Sequence, residues 1–81
     1  DIVVNDVFSI YPNPANDIVT IDSKSGNVNG VRIYDVTGRM VYQEVANVTK
    51  LNINISNLPK GLYIINVTTE KGENVEKLIV E

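Results

Sequence analysis

The segment from Asn57 to Val67 contains the densest apolar run of the chain, and it constrains the fold more than any other stretch. Pro59 fixes its own φ and favours extended geometry at Leu58, and Gly61 supplies a position of positive φ that leads into a strand. Beyond Gly61 the side chains alternate between two faces, and both faces begin apolar. Because a strand at the rim of a sheet rarely needs two apolar faces, this segment is predicted to be a central strand.

Composition limits both the size and the chemistry of the protein. The 81 residues suffice for one small domain, and the hydrophobic content of 43% comes mostly from Val and Ile, which favour a sheet over helices. The absence of Cys and His excludes disulfides, thiolate chemistry and the commonest metal ligand and general base. A net charge of −3 gives no attraction to nucleic acid, and no apolar run reaches the roughly 20 residues of a membrane span.

Alternating apolar residues and intervening turn signals predict about seven short strands. Pro12 and Pro14 stop the first strand and hold the chain in an extended bend, and Ser23 to Gly30 is predicted to be a polar loop. The acidic stretch from Asp1 to Asp6 is interpreted as the remnant of a linker. The predicted strands are Val7 to Tyr11, Asp17 to Asp22, Val31 to Tyr34, Arg39 to Glu44, Thr49 to Ser56, the central strand after Gly61, and Asn74 to Val80.

Two hairpins with glycine bulges are predicted from local sequence. Asp35 and Gly38 occupy the first and fourth positions of a type I turn, and Gly72 plays the same part after Thr69. The final strand carries several charges and is predicted to lie at an exposed edge. These features indicate a β-sandwich with polar outer faces, with a small barrel as the alternative. The residues expected to be mostly buried are Val19, Ile21, Val31, Ile33, Leu51, Ile53, Ile55, Tyr63, Ile65 and Val67.

Four motifs follow one another in a fixed order from about Phe8 to the end of the chain. Each motif alone is weak, but their order and spacing make the resemblance specific. Together they resemble the type A C-terminal sorting domain of the type IX secretion system, also called the Por secretion system. The motifs are Tyr-Pro-Asn-Pro at 11–14, Val-Arg-Ile-Tyr-Asp-Val-Thr-Gly-Arg at 31–39, Leu-Pro-Lys-Gly-Leu-Tyr at 58–63, and Gly72 with Lys-Leu-Ile-Val at 77–80.

The resemblance implies an all-β, Ig-like antiparallel β-sandwich of about seven strands, with residues 1–6 as linker and 7–81 as the sorting domain. It implies that the domain directs a cargo protein fused to its N-terminus from the periplasm across the outer membrane of a Gram-negative cell. The implied partners are the secretion translocon and a sortase-like peptidase, which removes the domain before the cargo is attached to lipopolysaccharide at the cell surface. The residues implied in translocon recognition are Gly61, Tyr63, Gly72, Lys77, Leu78, Ile79 and Val80.

One position departs from the family pattern. The chain ends on Glu81, whereas such domains often end on a basic or amide side chain. The chain also begins without Met or a signal peptide, so we expect it to be the C-terminal piece of a longer protein.

Each marked residue also has a purely structural interpretation. Gly61 and Gly72 can serve only as turn glycines, and Tyr63 can be a core aromatic residue whose hydroxyl is satisfied at the rim. Lys77 can extend from an edge strand into solvent without binding anything. The Asp35 carboxylate is expected to cap its turn and not to act as an acid or base.

No catalytic, metal or cofactor site is predicted, because the chain offers no nucleophile and base pair, phosphate loop or calcium loop. The alternatives to a sorting domain are a passive Ig-like or fibronectin-like spacer and a carbohydrate-binding module of a secreted hydrolase. A sugar-binding face would rely on aromatic platforms, and the chain has four Tyr and one Phe but no Trp.

Overall fold

The computed structural model describes residues 8–24 and 26–81. Within these residues, seven strands form two antiparallel sheets, ordered β1-β2-β5 and β4-β3-β6-β7. This architecture confirms the predicted all-β sandwich, whereas the expected linker 1–6 and Val7 lie outside the described residues. The strands are β1 (Phe8–Tyr11), β2 (Ile18–Ser23), β3 (Val28–Tyr34), β4 (Met40–Val48), β5 (Lys50–Asn54), β6 (Gly61–Thr69) and β7 (Gly72–Val80).

The core lies between the inner faces of the two sheets. All but one of the residues expected to be mostly buried are buried: Val19, Ile21, Val31, Ile33, Ile53, Ile55, Tyr63, Ile65 and Val67. The prediction was wrong for Leu51, which is half-buried and packs at the margin of the core because β5 is an edge strand of the three-stranded sheet. As predicted, β6 lies inside its sheet, between β3 and β7.

The predicted polar loop from Ser23 to Gly30 is too long. Ser23 ends β2, and β3 already begins at Val28, whose side chain is fully buried. Val28 pairs with Val48 on one side and with Thr69 on the other, so β3 is extended by its two neighbours. The same pairing lengthens β4 to Val48, beyond the predicted end at Glu44.

Both hairpin turns form where the sequence predicts them. Gly38 and Gly72 have φ values of 89° and 121°, in the region that favours glycine. The Asp35 carboxylate accepts hydrogen bonds from the amides of Thr37 (2.9 Å) and Arg39 (3.1 Å), which confirms its role as a turn cap. The hydrogen bond from the Thr37 hydroxyl, followed by that from the Arg39 amide, lowers the pKa of Asp35 below its ordinary value.

Candidate functional site

The residues expected to be recognised by the translocon divide into two sets. Leu78 and Val80 point into the core with exposures of 0% and 3%, whereas Lys77 and Ile79 are exposed on the opposite face of β7. This division follows from the alternation of side chains along a strand. Gly61, at φ 150°, and Gly72 occupy the ends of β6 and β7 as turn residues.

Tyr63 is a core residue whose polar end is satisfied. Its side chain is 5% exposed, and its hydroxyl donates a 2.6 Å hydrogen bond to the carbonyl of Pro59. This bond ties the start of β6 to the turn before it, as the tyrosine corner does in immunoglobulin-like sandwiches. Tyr63 therefore positions β6 and is not available as a surface contact.

The solvent-facing side of the four-stranded sheet, called the outer face here, combines exposed apolar side chains with polar ones. The polar side chains are Arg32, Gln43, Asn66, Thr68, Glu73 and Lys77. Leu62 and Ile79 are opposite each other on β6 and β7 and are 42% and 43% exposed. Ile64 lies opposite both Lys77 on β7 and Tyr34 on β3. The apolar and aromatic side chains of the outer face are Tyr34, Met40, Val45, Leu62, Ile64, Val75 and Ile79.

Two cations lie within this apolar surface. Arg32 on β3 and Lys77 on β7 are both exposed, and they are separated by one strand and two residues along it, about 12 Å in an ordinary sheet. Across residues 8–24 and 26–81 the one ion pair joins Arg39 to Asp35, so neither cation has a carboxylate within 4.0 Å. The outer face thus presents two cations without an ion pair, together with the carboxylate of Glu73, which lies opposite Thr68.

A shallow depression of about 140 Å³ lies beside Arg32 on the outer face. It forms over Gly30, which contributes no side chain, and it is bordered by Gln43, Val45 and Thr68. Next to Arg32 on β6, the Oδ1 atom of Asn66 is buried and accepts no hydrogen bond from any residue that the structure describes. Buried acceptors without a donor are rare in folded proteins, so this part of the face is incompletely satisfied.

The outer edge of β7 is closed along its C-terminal half by the segment that follows β1. The Asn13 side-chain amide donates to the carbonyl of Lys77 (2.9 Å) and accepts from the amide of Ile79 (3.1 Å). The Ala15 amide then donates to the carbonyl of Ile79 (2.8 Å), and the Glu81 amide donates to the carbonyl of Ala15 (2.8 Å). Asn13 was missed at the sequence level, because its partners are 64 and 66 residues away.

The outer face of the three-stranded sheet is mostly polar. It carries a hydrogen bond of 2.7 Å from the Thr20 hydroxyl to Asn52, and Asp22 lies opposite Lys50. Its exposed apolar and aromatic residues are Ile18 and Tyr11, with exposures of 43% and 41%. The prediction of polar outer faces therefore holds for this sheet and is wrong for the four-stranded one.

Two further properties concern the same described residues. Nowhere in 8–24 and 26–81 do three His, Cys, Asp or Glu side chains converge in a way that could hold a metal ion. That part of the chain also has no helix of the length and apolarity needed to cross a membrane.

Comparison with solved structures shows that the fold is an immunoglobulin-like β-sandwich. The chain superposes with a TM-score of 0.76 on a DUF3244 family protein with an immunoglobulin-like β-sandwich fold from Bacteroides vulgatus, at 18% identity, covering 93% of this chain and 85% of that one. It also superposes with a TM-score of 0.73 and 28% identity on part of PorZ, an essential surface component of the type IX secretion system of Porphyromonas gingivalis. That match covers 94% of this chain and 12% of PorZ.

Sequence comparison identifies the family. The chain is 36% identical over 73 residues to the ulvan lyase NLR42 of Nonlabens ulvanivorans, a match that covers 88% of this chain. The chain spans only 14% of the length of that relative. A family model described as the secretion system C-terminal sorting domain matches residues 9–81, which include β2 to β7 and all of β1 except Phe8. The chain therefore belongs to the family of C-terminal sorting domains of the type IX secretion system.

Proposed function

We propose that this domain carries a cargo protein fused to its N-terminus through the translocon, and that a sortase-like peptidase then removes the domain so that the cargo is attached to surface lipopolysaccharide. The observation that carries the proposal is the family match over residues 9–81. Sorting domains of this family belong to proteins exported to the cell surface or the extracellular space. Any catalytic activity of the whole protein would reside in the cargo, because the relative with an enzyme name is about seven times longer than the match, as its 14% coverage implies.

Within the domain, the proposed recognition residues have two different tasks. Lys77 and Ile79 are exposed and can contact a translocon component directly. Gly61, Tyr63 and Gly72, together with the buried Leu78 and Val80, hold β6 and β7 in the register that presents those two side chains.

The function is tested by fusing residues 1–81 behind a signal peptide and a folded reporter in a host that has the type IX system. The reporter is expected outside the cell, and its mass is expected to fall after export because the domain is removed. A passive spacer or a sugar-binding module would leave the reporter in the periplasm. Retention of the intact fusion in a competent host, with the same fusion stable in the periplasm, would contradict the proposal.

Lys77→Ala probes recognition within that assay. Lys77 is exposed, so the substitution is expected to change the free energy of unfolding by no more than about 0.5 kcal/mol while reducing export. Lys60→Ala, at an exposed turn position, is the matched control. Deletion of residues 78–81 is a poor test, because it removes the buried Leu78 and Val80 and would unfold the edge of the sheet.

A further inference from the structure

We propose that the outer face of the four-stranded sheet docks on a component of the secretion machinery whose contact surface is apolar and carries carboxylates. In this mode the partner contacts the outward side chains of β7 while the sheet stays folded. It neither pairs with the backbone edge of β7 nor binds the C-terminal residues as an extended tail. The inference rests on the proposed sorting function and specifies the surface that performs it.

The backbone edge of β7 is a poor docking site. From the Lys77 carbonyl to the Glu81 amide, four outward backbone groups are already bonded to Asn13 and Ala15, so an incoming strand would have to displace four hydrogen bonds. The remaining part of the edge, Gly72 to Glu76, carries the charges of Glu73 and Glu76. Charged residues at a sheet edge oppose the addition of another strand. Recognition of β7 is thus directed to its exposed side chains.

A linear tail is also disfavoured by the burial pattern. Leu78 and Val80 are buried, so a partner can reach only alternate residues of the tail unless β7 detaches. The exposed Ile79 lies against Leu62 on the neighbouring strand, and Lys77 lies against Ile64. A partner that contacts Lys77 and Ile79 on the folded domain therefore contacts β6 as well.

The chemistry of the outer face defines its partner. Exposed aliphatic residues that cluster on one sheet face are typical of a surface that becomes buried on association. Arg32 and Lys77 form no ion pair within that cluster. Each would become a buried charge without a counter-ion beneath an apolar partner, unless the partner supplied a carboxylate. The depression over Gly30 gives a preformed recess next to Arg32 for one partner side chain.

The sharpest test uses two residues of equal exposure on opposite faces. Leu62 is 42% exposed on the outer face of the four-stranded sheet, and Ile18 is 43% exposed on the three-stranded sheet. In the reporter fusion, Leu62→Glu is expected to reduce export at least about tenfold, whereas Ile18→Glu leaves it within about twofold of the unsubstituted domain. Melting temperatures and circular dichroism of the two purified domains establish that both are folded.

A second pair tests the charge. Arg32→Glu on the outer face is expected to reduce export, and Lys50→Glu, at an exposed position of β5, is its control with the same change of charge. This pair also serves if Leu62→Glu proves unstable, because both arginine and lysine side chains are exposed and their replacement leaves the core intact.

The outcomes separate the alternatives. Normal export of folded Leu62→Glu and Arg32→Glu would overturn the proposal, and would indicate that the machinery recognises the C-terminal residues alone as an extended tail. Equal loss in the control variants would overturn it because no face would then be distinguished. A dimer in solution that Leu62→Glu converts to monomer would assign the face to a second copy and likewise overturn it. Failure of the unsubstituted fusion would instead reject the sorting function on which the proposal rests.

Discussion

Both sheets of the sandwich contribute apolar side chains to the core, but their outer faces differ in composition. The three-stranded sheet presents mainly hydroxyl, amide and charged groups, and the Thr20 hydroxyl donates a hydrogen bond to Asn52 across two of its strands. The four-stranded sheet presents Leu62, Val75 and Ile79 at exposures of 42%, 60% and 43%. Since a sandwich is stabilised by its inner faces, the apolar outer face is not required by the fold and is better explained by a role in association.

The sheets also differ in how they are connected. In the four-stranded sheet, β3 joins β4 and β6 joins β7 through short hairpins, whereas β2 pairs with β5 across an intervening stretch that includes β3 and β4. The terminal strands that carry the candidate recognition residues therefore belong to the sheet with the more local contacts. This arrangement allows β6 and β7 to present one surface as a unit.

The largest expected effect separates the two faces of β7. Leu78→Ala should lower the free energy of unfolding by about 2 to 5 kcal/mol, because it leaves a cavity under a fully buried residue. Ile79→Ala should lower it by about 1 kcal/mol or less, because Ile79 is already 43% exposed. Urea unfolding of the two variants measures the difference. Similar losses of unfolding free energy would show that the outer face is part of the folding core.

The turn glycines of the four-stranded sheet should give the next largest effect. Gly61→Ala and Gly72→Ala are each expected to destabilise the domain by about 1 to 2 kcal/mol, because the new side chain must adopt a positive φ. Neither added Cβ would meet an atom within 4 Å, so the loss would report backbone strain and not a clash. Thermal unfolding of both variants is the measurement, and unchanged melting temperatures would contradict the assigned turn conformations.

The contrast between outer faces can be measured without a host cell. The domain is expected to bind a hydrophobic fluorescent dye at the four-stranded sheet, and Ile79→Lys should reduce that fluorescence. Ile18→Lys on the three-stranded sheet should leave it unchanged, although the two positions are equally exposed at 43%. Both changes should alter the free energy of unfolding only slightly, within roughly 1 kcal/mol. An equal loss of fluorescence in both variants would remove the distinction between the faces.

The smallest effect concerns the turn that closes the hairpin of β3 and β4. The pKa of Asp35 is lowered in the folded state, so its carboxylate stabilises the domain above the ordinary value of 3.8, and this contribution is lost as the pH falls through the lowered pKa. Asp35→Asn should therefore lower the melting temperature at neutral pH, with a difference from the unsubstituted domain that shrinks below pH 3.8. A difference independent of pH would assign the stabilisation to the turn geometry alone.

Features with local causes could be predicted from the sequence. The hairpin turns at Asp35 and Thr69 depend on neighbouring residues, and the inward side of β5 follows from strict alternation. Alternation along a strand likewise puts Ile79 and Leu78 on opposite faces of β7, and the structure assigns Leu78 to the core and Ile79 to the surface.

Features that depend on distant partners could not be predicted. The local sequence predicts a polar loop at Val28, because nothing near it indicates that β4 and β6 extend its strand. The burial of Ala15 and the bonds of Asn13 depend on β7, more than 60 residues away. The apolar outer face was missed for the same reason, because it is assembled from alternate residues of four strands whose pairing the sequence does not specify.

The central claim is that the C-terminal part of the backbone edge of β7 is hydrogen-bonded within the domain, whereas the side chains on its outer face are accessible to a partner. Hydrogen exchange of individual backbone amides, followed by NMR, tests the closed edge directly. The amide of Ile79, held by the Asn13 side chain, should exchange slowly, whereas the amides of Glu73 and Val75, which share its outward direction, should exchange fast. Asn13→Ala should accelerate exchange at Ile79 with little change at Leu78. Exchange of Ile79 as fast as that of Glu73 and Val75 in the unsubstituted domain would contradict the account.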